Sequence, residues 1–72
     1  MPGWKELKRF CEKDDWELYK KSDHYYYRKY MGNGVLKRTK VSMGSKEIPK
    51  FLWKNILEKQ LQVTLEYFNK TK

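Results

Sequence analysis

The sequence holds one cysteine, one histidine, two prolines and no apolar run longer than three residues. A lone Cys11 leaves no partner for an internal disulfide, and one histidine with one cysteine is too few for a Cys/His zinc site. Apolar runs stop at lengths such as Phe51-Leu52-Trp53, so no segment reads as a transmembrane helix. Met1-Pro2-Gly3-Trp4-Lys5-Glu6 does not read as a signal peptide, and the expected compartment is a reducing cytoplasm. Seventy-two residues give length for one domain, 1–72, with none for a second core or a cofactor domain.

Acidic residues are scarce too. Nine Asp and Glu stand against seventeen Lys and Arg, a net charge of +8. The excess is uneven: residues 1–15 are net 0, 16–50 net +6 and 51–72 net +2. A basic middle suggests one electropositive surface. Five of the six tyrosines fall in it, among them Tyr25, Tyr26, Tyr27 and Tyr30. Cations interleaved with flat side chains suit RNA, whose phosphates attract charge and whose unstacked bases attract rings. The competing readings at this level are a small helper protein and a membrane-surface role.

Trp4, Leu7, Phe10 and Cys11 lie on one helical stripe, which predicts a helix over Trp4 to Asp14 with Asp14-Asp15 as its stop. Three strand-like runs follow, over 16–20, 24–30 and 35–43. Asn33-Gly34 between the last two is a strong signal for a tight hairpin turn. Pro49 suits the first turn of a second helix. Leu52, Trp53, Ile56, Leu57 and Leu61 carry that helix to about Leu61, and Thr64 caps a short final turn through Phe68. The expected class is α+β, in the order α-β-β-β-α, with a three-stranded antiparallel sheet and two helices on one face. Trp4, Trp16, Leu18, Leu52, Trp53, Ile56 and Leu57 read as core, and Cys11 as a small buried hydrophobe.

A regular two-residue turn at Asn33-Gly34 would pair Gly32 with Val35, Tyr30 with Lys37, Arg28 with Thr39, Tyr26 with Val41 and His24 with Met43. Alternation then places Val35, Thr39, Val41, Met43 and Tyr26 under the helices. The open face would carry Tyr25 opposite Ser42, Tyr27 opposite Lys40 and Lys29 opposite Arg38. Like charges directly opposed destabilise a sheet unless water or an anion lies between them. This face is therefore expected to be a phosphate platform with tyrosines for stacking. The plain alternative is a solvated face, and a bulge would exchange the two faces.

His24 opens the second strand beside the Gly44-Ser45-Lys46 loop. An imidazole suits proton transfer near neutral pH. Cutting RNA without a metal takes a base for the ribose 2′-OH, an acid for the leaving 5′-oxygen and cations for the phosphate. His24 can fill one proton role and a tyrosine the other, with charge from Lys46, Lys21 or Arg28. A purely structural histidine is the alternative.

Several segments, in order, resemble one known family. They are Trp4-Lys5-Glu6-Leu7, Asp15-Trp16-Glu17-Leu18, Ser22-Asp23-His24 and Gly44-Ser45-Lys46-Glu47-Ile48-Pro49. Leu52…Ile56-Leu57 and Leu61…Thr64-Leu65-Glu66…Phe68 complete the set. The chain from Trp4 to Phe68 is similar to the HicA (YcfA-like) toxins, the RNA-cleaving halves of bacterial and phage toxin–antitoxin pairs. The resemblance implies a double-stranded-RNA-binding-domain-like fold and a metal-independent endoribonuclease acting on mRNA without a cofactor. It also implies His24 as the catalytic acid/base and a HicB-like antitoxin as partner. The Gly-Ser pair that precedes the family's histidine reads Ser22-Asp23 here, its second histidine is replaced by Ser42 or Met43, and its Gly-Thr before the last helix reads Lys50-Phe51. The residues expected to hold RNA are Lys21, Tyr25, Tyr27, Arg28, Lys29, Arg38, Lys40 and Lys46. A non-catalytic double-stranded RNA-binding module and a small protein-interaction domain are the other two functions this sequence admits.

Overall fold

The apolar stripe of Leu7, Phe10 and Cys11 is buried, and the helix it predicts runs over Trp4–Lys13 (α1). The computed structural model describes residues 2–72; Met1, which opens the run set against a signal peptide, lies outside them. Gly3 caps α1, and the Glu6 carboxylate accepts from the Gly3 N–H at 3.2 Å. Asp14 closes the helix and Asp15 turns the chain out of it in the left-handed region, at φ 61°, where a short polar side chain is tolerated. Strands β1 (Glu17–Lys21), β2 (His24–Gly32) and β3 (Val35–Ser42) then form an antiparallel sheet in the order β1-β2-β3. Helix α2 (Lys50–Asn55) continues as a π-helix over Ile56–Leu61, and α3 (Leu65–Thr71) closes the chain. Pro49 is the cap of α2 rather than its first residue. Thr64 caps α3 as expected, its Oγ1 accepting from Tyr67 N at 3.0 Å, and α3 runs past Phe68 to Thr71. The protein is a small α+β domain.

The expected hairpin turn forms, but the register beyond it is different. Asn33 and Gly34 both take positive φ, at 53° and 76°, and Gly32 pairs with Val35. Met31 is then left out of the ladder as a bulge, and Tyr30 pairs with Leu36, Arg28 with Arg38, Tyr27 with Thr39, Tyr26 with Lys40 and His24 with Ser42. One unpaired residue reverses every β2 side chain relative to the regular hairpin. Tyr25, Tyr27 and Lys29 therefore face the helices with Val41, Thr39 and Lys37. His24, Tyr26, Arg28 and Tyr30 share the open face with Ser42, Lys40, Arg38 and Leu36.

The core is Leu7, Phe10 and Cys11 of α1, Tyr27 and Val41 of the sheet, Ile48, and Trp16, Trp53, Ile56, Leu61 and Phe68. Trp4, Leu52 and Leu57 pack at its edge. Leu18, expected inside, is 45% exposed on the edge strand β1. Burial pushes the Cys11 thiol up, with the Asp14 charge adding to the effect, as fits an inert small hydrophobe. In the π segment the buried Ile56 and Leu61 lie five residues apart, the spacing of i→i+5 bonding. Its end is fastened to β3 by Lys37 Nζ on the Leu61 carbonyl at 2.8 Å and Thr39 Oγ1 on Gln60 Oε1 at 2.7 Å.

Asp14 does more than stop a helix. Its buried carboxylate accepts from Trp16 Nε1 at 3.0 Å, Lys29 Nζ at 3.1 Å and the Tyr67 hydroxyl, joining α1, β2 and α3. Burial alone would raise its pKa; the hydrogen bonds from Tyr67, Lys29 and Trp16, with the Lys29 charge, outweigh that and hold it below the usual carboxylate range. Asp14→Ala strands three donors and should cost about 2–4 kcal/mol. Because the folded pKa lies below the unfolded one, Asp14's contribution is full above about pH 4 and drains as the pH falls through the folded value. In urea melts the gap between wild type and Asp14→Ala should therefore be widest near pH 7 and narrow at pH 3. A gap independent of pH would contradict this account.

Candidate functional site

The Ser22-Asp23 turn between β1 and β2 sets the position of His24. Ser22 N donates to the His24 carbonyl at 3.1 Å and Ser22 Oγ to Asp23 Oδ1 at 3.0 Å. That second bond, ahead of the nearby His24 and Lys40 charges, keeps the Asp23 carboxyl below its usual range. The side-chain hydrogen bond to Asp23 thus comes from Ser22. The half-buried His24 ring meets Tyr26 edge-on at 6.3 Å between centroids, on the open face. Its Nδ1 is covered and has no hydrogen-bonding partner among the described residues.

His24 pairs across the sheet with Ser42, and Ser42 lines two adjoining hollows of about 340 and 520 Å³. Their walls share Trp4, Gly44 and Ser45; Lys5, Lys8 and Tyr25 belong to the first and Lys46 to the second. The loop is pinned in place from the start of α1. Trp4 N donates to the Lys46 carbonyl at 3.1 Å and Ile48 N to the Pro2 carbonyl at 3.0 Å. A Cβ on Gly3 would stand 3.3 Å from the Lys46 oxygen, so glycine permits this close approach. Three lysines and two serines border the hollows; Lys8 is paired with Glu12 at 2.6 Å, and among the described residues no carboxylate lines either hollow. Such a site favours an anion with a flat group beside it. His24 stands at the margin of these hollows, not among their lining residues.

The open face is the second basic region. Arg28 and Arg38 are directly opposed on β2 and β3. Arg28 is held by Glu17 at 2.8 Å and lies over the Tyr19 ring at 5.0 Å. Arg38 and Lys40 make no ion pair among the described residues, and both are exposed.

Family models, curated proteins and solved structures gave no match to this chain.

Of the residues expected to hold RNA, Arg28, Arg38 and Lys40 share the open face with His24. Lys46 borders the sheet-end hollows. Tyr25 lines one of them, but its ring is covered by Lys8 at 5.2 Å and Lys21 at 5.5 Å. Tyr27 and Lys29 are corrections. Tyr27 is 2% exposed and belongs to the core, and Lys29 points to the helix side and pairs with Asp14. Both follow from the Met31 bulge. Tyr19, Lys20 and Tyr26, outside the expected set, also stand on the open face. A second bulge leaves Tyr19 out of the β1–β2 ladder, which pairs Lys20 with Tyr26, and Tyr19 packs on the open face against Tyr26 at 6.2 Å. Among the described residues no cluster of His, Cys, Asp or Glu is arranged to hold a metal ion. No described helix is long and apolar enough to cross a membrane.

Proposed function

We propose that this chain is a HicA-type toxin with a double-stranded-RNA-binding-domain-like fold, a cytoplasmic endoribonuclease that cuts mRNA with His24 as acid/base. The observation that carries the reading is the position of the histidine, at the start of β2 and opposite Ser42 on the rim of hollows bordered by Lys5, Lys8 and Lys46. In the reaction the ribose 2′-oxygen bonds to phosphorus as its proton is removed. The bond from phosphorus to the 5′-oxygen breaks as that oxygen gains a proton. His24 performs one of the two transfers, and nearby cations offset the charge that builds on the phosphate. A HicB-like antitoxin with an acidic contact surface is the partner that a +8 chain attracts.

The second reading is a non-catalytic double-stranded RNA-binding module. It is favoured by a single imidazole whose Nδ1 is oriented by no hydrogen bond among the described residues. The test is incubation of the purified wild-type protein with an mRNA transcript in the presence of a chelator. Discrete fragments are expected. RNA that is bound but left intact would remove the nuclease and leave the binding module.

A further inference from the structure

We infer that the open face of the sheet is a binding track for single-stranded RNA, separate from the sheet-end hollows, with bases stacked on Tyr19 and Tyr26 and phosphates on Arg28, Arg38 and Lys40. This rests on the RNA reading above and names the strand form of the substrate and the residues that grip it. The two bulges build the face. The one at Met31 turns Tyr26 and Arg28 outward, and the one at Tyr19 adds a second ring beside Tyr26. The rings are tilted 55° to one another, and Tyr19, Tyr26, Arg38 and Lys40 border a cleft of about 360 Å³.

Charge selects the occupant. Two arginines opposed across a sheet repel, and Glu17 answers only Arg28. Lys20 lies over the Tyr26 ring at 5.3 Å and adds a fourth cation. A phosphodiester lying between Arg28 and Arg38 would relieve that repulsion; each ring beside it carries one cation, Arg28 over Tyr19 and Lys20 over Tyr26, where Tyr25 carries two, and an unpaired base would stack on the face opposite that cation. A duplex hides its base faces and cannot use the tyrosines. The track reaches His24 through the ring contact with Tyr26, so a strand held on it leads to the acid/base.

The test is fluorescence anisotropy of the full chain with a labelled 12-nucleotide RNA of mixed sequence, single-stranded or annealed to its complement, over a range of salt. Single strands should bind at least tenfold more tightly than the duplex. Tyr19→Ala and Tyr26→Ala should each weaken single-strand binding about five- to a hundredfold, while Tyr26→Phe keeps the ring and the affinity. Arg38→Gln should lower the slope of log affinity against log salt by about 0.7. Circular dichroism reports whether each variant is folded, and the exposed Tyr19 and Arg38 serve where Tyr26→Ala is not. Equal affinity for the duplex, or folded Tyr19→Ala and Arg38→Gln variants that bind like wild type, would overturn the track. No binding to either RNA would also overturn it and would favour a protein partner on this face. Cleavage is scored separately. Tight, tyrosine-dependent binding without cleavage sinks the nuclease and leaves the track, whereas cleavage indifferent to these variants does the reverse.

Discussion

Phe10→Ala should lower the unfolding free energy by about 3–5 kcal/mol, the usual cost of deleting a buried aromatic ring. Phe10 is fully buried; its ring centroid lies 4.9 Å from that of Phe68 and 6.1 Å from that of Tyr67, and Phe68 in turn meets Trp53 edge-on at 4.7 Å. This aromatic chain ties α1 to α3 and α3 to α2. At roughly 0.05–0.15 kcal/mol per residue, a domain of this size has about 4–11 kcal/mol in all, so the substitution removes a large part of it. Urea unfolding followed by tryptophan fluorescence should show the midpoint moved far down, or no folded baseline. Phe51→Ala is the control. Phe51 is 81% exposed, and its loss should stay within about 0.5 kcal/mol. Similar midpoints for the two variants would show that these helices are not held together through Phe10.

The element order, the Asn33-Gly34 turn, the Thr64 cap and most of the core were legible because each rests on local chemistry. The faces of β2 were not. The turn demands that Gly32 oppose Val35, whereas burial of Tyr27 with Thr39 and Val41 demands a register one residue away. Leaving Met31 unpaired satisfies both. Tyrosine obscured the choice, since Tyr25, Tyr26, Tyr27 and Tyr30 put rings with polar tips on both faces of β2, and alternation then has little to select. A usable signal was the opposition of Arg28 and Arg38 with Glu17 at hand. Residue type alone puts Leu18 in the core, whereas the edge strand β1 gives it little cover.

Long-range polar contacts were the other blind spot. Asp14 looked like a helix stop, and it is one; its bonds to Lys29 and Tyr67 reach 15 and 53 residues along the chain, beyond any local pattern. The same contact moves Lys29 from the expected RNA surface to a structural ion pair. For the candidate site, the start of β2 at His24 was legible because a short turn fixes it, but its partner across the sheet is Ser42 where the regular hairpin gives Met43. The rings and cations around it were only partly so, because two bulges decide which of them share its face.

His24→Ala should reduce RNA cleavage about 10²–10⁴-fold, the range that a positioned acid or base contributes, while RNA affinity changes little. The cations of the open face and the sheet-end hollows all remain, and they supply the binding. Stability should scarcely fall. With no hydrogen-bonding partner for Nδ1 among the described residues, alanine removes an unsatisfied polar atom instead of breaking a hydrogen bond, and what is lost is the packing of a half-buried ring, the edge contact with Tyr26 included. This separates catalysis from a structural role, since a histidine kept for the fold would show its loss in the melting temperature first. His24→Gln keeps polarity and much of the bulk but cannot shuttle a proton, so it should lose cleavage to the same extent. The corresponding readout in cells is growth after induction. Wild type is expected to arrest it, and both variants should permit it at equal expression. Arrest by His24→Ala or His24→Gln at the wild-type rate would place the toxicity, and the chemistry, somewhere other than this imidazole.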